Sequence, residues 1–215
     1  MGFIEKVYEG NLNGEAVTAL IDAVFAVAMT ILVLDIKRPE SVAALYVPGA
    51  YSTYVNSLSL QVFMFLFVFF VLGVIWIGQR HMLNDIKETD RTFLWLSIFL
   101  LMGVALVPLF YSLVMDFGKS FPFFTYIFDI NFLVIGIFWC LQFYYASKKG
   151  FFGEVKHLRA KLTNIAFFPL TAFIALILSF GFPVESNIVY MIIPLSKKIY
   201  LHVYDKFDSG DDLLN

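Results

Sequence analysis

The chain has 215 residues, 60% of them hydrophobic and only 15% charged, with a mean hydropathy of +0.80. Soluble domains carry roughly 45–50% apolar and about 25% charged residues, so this composition belongs to a protein built into lipid. A formal charge of −2 supplies no basic patch for nucleic acid. The single cysteine, Cys140, excludes an internal disulfide, offers no metal-ligand spacing, and reads as apolar filler in a membrane helix.

A bilayer core about 30 Å thick takes about 20 apolar residues in a helix. Six segments approach that length: 16–36, 57–78, 93–115, 122–146, 162–182 and 185–203. The first is too alanine-rich for a signal peptide, and no small-residue cleavage site follows it. The last is interrupted by Pro194 and by Lys197–Lys198, so its lipid-embedded part is expected to end near Ser196. Trp76, Trp95, Trp139 and Tyr204 fall at segment ends and suit interfacial belts. No connection is long enough for a soluble domain. The expectation is therefore an all-α integral membrane fold with six transmembrane helices per subunit. Residues 1–203 form one membrane domain, and 204–215 form a polar, acidic tail without a readable function. The segments assigned to one side of the bilayer carry 12 Lys and Arg, against 3 on the other. The positive-inside rule thus places both termini in the cytoplasm. The halves of the chain show no internal repeat, which weakens folds built from inverted repeats.

The first segment contains ALIDAVFAVAMTILVLDI at 19–36. On a wheel of about 100° per residue, Val27, Ile31 and Leu34 lie within about 60° of one another, with Thr30 at the edge. Asp22 points about 140° away from Val27 and shares its side with Ala19 and Ala26, small residues that let membrane helices approach closely. An acid in a membrane segment is a functional candidate. Asp22 reads first as a structural hydrogen-bond hub, with tuning of an ion path or proton transfer as alternatives. The aliphatic stripe taken alone reads as packing or lipid surface, with pore lining the sharper alternative.

Three features bear on that choice: DAVFAVAMTILVLDIKRPE at 22–40, VLGVIWIGQRHMLNDIKETDRTFLWLSIFLLMGVALVPLFYSL at 71–113, and a six-segment layout with a basic 147–161 loop. Together they resemble the endosomal and lysosomal transmembrane potassium channel family, in particular its prokaryotic members with one six-helix repeat per chain. The resemblance is best over residues 15–115. It implies a potassium-permeable channel, assembled as a homotetramer, with the first helix of each subunit lining a central pore and no carbonyl-lined filter loop. Val27 matches the first constricting position, Ile31 and Leu34 the next two, and Thr30 a position where some members offer a hydroxyl. The family signature Arg-x-x-x-Phe-Ser-Asp is eroded here: its matching positions are Ala16, Leu20, Ile21 and Asp22. Where members tend to carry a histidine after the helix-two tryptophan, this chain has Gln79, followed by Arg80 and His81. The structural polar cluster is therefore expected to be Asp22, Trp76, Gln79 and Arg80, with Gln79 or Arg80 as the donor to Asp22.

The chain has no TVGYG-type loop, no arginine ladder, no Walker A loop and no H-E-x-x-H. His81, His157 and His202 fall at cytoplasmic ends or in loops. The reading is a cation channel in the cell membrane of a prokaryote, passing potassium down its gradient through a hydrophobic constriction. It is not an enzyme and needs no cofactor beyond the conducted ion. Its partners are copies of itself and the lipid bilayer, with no nucleic acid. The alternative is a small proton- or ion-coupled secondary transporter using Asp22, weakened because no second buried charge stands out to accompany that acid. A membrane scaffold without transport is the third reading.

Overall fold

In lipid every backbone N–H and C=O must be satisfied within the protein, so long apolar runs fold as helices. The computed structural model describes residues 14–39, 41, 43–86, 89–118, 120–152, 158–183 and 185–193, and these are almost wholly helical. Helix α1 spans Gly14–Ile31 and tightens into a 3-10 turn at Leu32–Asp35, and a second 3-10 turn follows at Ala43–Tyr46. Helices α2 (Ala50–Asn84), α3 (Arg91–Phe117), α4 (Phe123–Lys149) and α5 (Leu158–Ser179) come next, then a 3-10 helix at Glu185–Ile192. An isolated bridge between Ile86 and Phe152 joins the α2–α3 connection to the segment after α4.

Among the described residues four stretches are long and apolar enough to cross a membrane: Glu15–Asp35, and the whole of α2, α3 and α4. The chain is a multi-pass membrane protein, all-α over the described residues. The apolar part of α5, Ile165–Ser179, is shorter. The expected sixth span departs from the sequence reading, because its described part is a 3-10 helix rather than an α-helix. Residues 194–203 and the 204–215 tail lie outside the described residues. The second span also differs from the expected 57–78: α2 is 35 residues long, about 52 Å at the helical rise. In its polar first turns the hydroxyls are satisfied within the helix, Ser52 and Thr53 donating to the Gly49 carbonyl and Ser59 to that of Val55. Gly49, at φ 83°, supplies the left-handed residue at which the helix starts.

Helices α3, α4 and α5 pack side by side, and α1 lies mainly along α3. Close approach is bought with glycine. A Cβ at Gly103 would come within 2.7 Å of Ile135, and one at Gly136 within 2.7 Å of Pro169. Trp139, expected at an interfacial belt, is instead buried against Gly78 of α2, where a Cβ would sit 2.3 Å from the indole ring. A belt residue needs an exposed flank, and the missing side chain at position 78 gives this ring an interior slot. Trp95 does face outward.

Candidate functional site

Helix α1 divides its surface sharply. Val17, Ile21, Phe25, Ala28 and Leu32 recur every three or four residues and are all but fully buried, the spacing of one helical face. On the other side Val27 is 56% exposed, Ile31 42% and Leu34 79%, with Thr30 exposed between them. Leu34 sits in the 3-10 turn rather than in the α-helix, which corrects the wheel. In 3-10 geometry residues three apart eclipse, so Leu34 stacks above Ile31 instead of lying about 60° aside. The Thr30 hydroxyl donates within its own helix, 2.9 Å from the Ala26 carbonyl and 3.0 Å from that of Val27. Its oxygen keeps acceptor capacity toward the exposed face.

Behind that face, α1 is fastened at both ends. Asp22 Oδ1 accepts from Trp76 Nε1 at 2.8 Å, and Oδ2 meets the Arg80 guanidinium at 3.2 Å. Trp76 and Arg80 are four apart on α2, hence on one stripe. Gln79 does not join them, contrary to one of the two donor expectations. One residue before Arg80 turns its side chain about 100° away, into the interior. There it donates to Gln142 Oε1 on α4 at 3.0 Å, and Gln142 donates to Ser97 Oγ on α3 at 2.7 Å. At the far end Lys37 pairs with Asp116 of α3, while its backbone N–H donates to Gln61 Oε1 of α2 at 2.7 Å. The Gln61 carbonyl in turn accepts from Tyr111 at 3.1 Å.

Sequence reasoning missed Ser97, Gln142 and a buried acid, Asp129, to which Tyr190 donates at 3.0 Å. A polar residue inside an apolar run was the available signal for each, but their partners lie 45 to 63 residues away. Among the described residues no group of three or more His, Cys, Asp or Glu is placed to hold a metal.

The model of the endosomal/lysosomal potassium channel TMEM175 family matches residues 16–108. Over that segment, less than half of the chain, the sequence is similar to this family. A protein of Streptomyces collinus named a potassium channel is 32% identical over 103 residues, covering 43% of each chain. A Chryseobacterium protein, also named a potassium channel, is 26% identical over 91 residues, 42% of this chain and 43% of that one. The chain is thus matched over less than half the length of either relative. The matched segment runs from α1 into α3, so it includes the exposed stripe and the Asp22–Trp76–Arg80 tie. Helices α4 and α5, with Gln142 and Asp129, lie beyond it.

Proposed function

We propose that the protein is a potassium channel in which α1 from each subunit of a homotetramer lines a shared axis, with Val27, Ile31 and Leu34 as a hydrophobic constriction. The observation that carries this reading is the division of α1. Its back is buried and tied at both ends to α2 and α3, while branched aliphatics and one hydroxyl occupy the outward face. A ring of such side chains gates by dewetting. Potassium sheds its hydration shell at less cost than sodium, and Thr30 oxygens would replace part of that shell, so a modest potassium preference follows. The family match over the same residues supports the reading, as do the names of the bacterial relatives. In this proposal the six-helix domain of residues 1–203 sits in the prokaryotic cell membrane with both termini cytoplasmic. Asp22 acts as a structural tie rather than as a coupled acid, since both its oxygens are engaged.

Ion flux into liposomes carrying the purified protein tests it, with potassium and sodium run in parallel. Wild type is expected to pass potassium faster than sodium. Val27→Ala should raise flux of both ions, and Thr30→Ala should reduce the preference. Flux that needs a proton gradient and disappears in Asp22→Asn would replace the channel with a coupled transporter.

A further inference from the structure

Asp129 lies on α4 six residues after Phe123, about 9 Å along the helix from that end, and is 0% exposed. No ion pair among the described residues includes it. Tyr190 donates to Oδ1 at 3.0 Å, and Oδ2 has no hydrogen-bond partner. The same is true of Thr125 Oγ1 and of both side-chain atoms of Asn187, residues that are 0% and 3% exposed. These groups share a place. Thr125 precedes Asp129 by four residues, which puts both on one face of α4. Asn187 precedes Tyr190 by three in the Glu185–Ile192 3-10 helix, where residues three apart eclipse, so it stands on the face that brings Tyr190 to Asp129. Ser179, at the end of α5, lies beside the carboxylate, with its proton directed 2.7 Å to the Leu176 carbonyl.

Buried polar atoms are nearly always partnered, and a carboxylate taken out of water without a counter-charge is among the costliest groups to bury. The helix faces that carry Asp129 and Tyr190 also carry the Thr125 hydroxyl and the Asn187 amide carbonyl, neutral oxygens like the Ser179 hydroxyl and the Tyr190 phenol beside the carboxylate. Such a set suits a hard cation. The charge count selects its valence, because a single carboxylate neutralises a monovalent ion and leaves a divalent one with excess charge inside the bilayer. We propose that Asp129, Thr125 and Asn187 hold an alkali cation, sodium or potassium. This site is built by α4, α5 and the 185–192 helix rather than by α1, and it fastens that last helix to the bundle.

The test is thermal unfolding of the full-length purified protein in detergent, titrated with sodium, potassium or choline chloride at constant ionic strength. An ion that binds only the folded state raises the melting temperature with the logarithm of its concentration. A rise with sodium or potassium but not choline is expected, and the more effective ion identifies the occupant. Asp129→Asn, which keeps the acceptor for Tyr190, should remove the rise. Thr125→Val should move the titration to about tenfold higher ion concentration. Equal melting in all three salts would overturn the site, leaving a neutral acid with water in its place. A rise that survives in Asp129→Asn would assign the ion to another part of the protein, the pore included. Should Asp129→Asn not fold, an unshifted titration in Thr125→Val overturns the proposal by itself.

Discussion

Asp22 divides its two oxygens between partners of unequal worth. The Arg80 pair is more than a third exposed on both sides, and exposed ion pairs contribute about 0–1 kcal/mol. The Trp76 bond, at 2.8 Å in a part-buried setting, joins a charged acceptor to a donor that has little water to turn to. Such bonds are worth roughly 1.5–3 kcal/mol, with the lower end apt here because Asp22 is partly wet. Trp76→Phe is therefore expected to lower the melting temperature more than Arg80→Ala, with Asp22→Asn milder than Asp22→Leu because the amide oxygen still accepts from Trp76. Equal shifts for the two donor variants would show that Arg80 holds α1 as firmly as the indole does. Both the legible and the illegible parts of the site meet here. Arg80 was readable because it belongs to the same membrane end as Asp22. Gln79, its neighbour in sequence, was not separable from it until the helical phase of α2 was known.

At the scale of elements, glycines set how closely α3, α4 and α5 approach one another. A methyl at Gly136 would meet the Pro169 Cβ at 2.7 Å and its backbone Cα at 2.9 Å, while one at Gly103 meets the Ile135 side chain at 2.7 Å. A side chain has other rotamers and a backbone does not. Gly136→Ala should thus cost about 1–3 kcal/mol, and Gly103→Ala less, a ranking that thermal unfolding in detergent reads directly. The Gln79–Gln142–Ser97 relay ties three of the helices together. Gln142→Leu strands the Gln79 amide and should cost about 1–3 kcal/mol. The double variant Gln79→Leu with Gln142→Leu should recover part of that loss, because no buried amide is left unpaired. The existence of the main helices was legible because a 20-residue apolar run has few other fates in lipid. Their limits were not. The polar start of α2 turns its hydroxyls onto its own carbonyls, and Trp139 fits inside where position 78 has no side chain. Tyr190 finds Asp129 across 61 residues, a pairing no local window contains.

For the whole molecule, the apolar outer face of α1 has two possible neighbours, lipid or further copies of α1. Exposed Leu and Phe elsewhere on the chain, such as Leu109 and Leu170, need only lipid. The α1 face differs in that it carries Thr30 and that both ends of its helix are tied down by polar bonds on the reverse side, which holds the stripe in one orientation. A disulfide needs Cα atoms within roughly 7 Å, whereas a bismaleimide also bridges thiols facing each other across an axis, so a short bismaleimide suits the question better than oxidation. With Cys140 replaced by serine, Val27→Cys should cross-link subunits into covalent dimers and higher forms on a denaturing gel, and Leu170→Cys should remain a monomer. Adding potassium flux to the same samples links geometry to activity, since a bridge across the Val27 ring should block the flux that unreacted protein supports. Cross-linking at Leu170 with none at Val27 would move the subunit interface to α5 and leave the α1 stripe as lipid surface. The two positions thus test whether the face chosen from a helical wheel is the one on which the assembly closes.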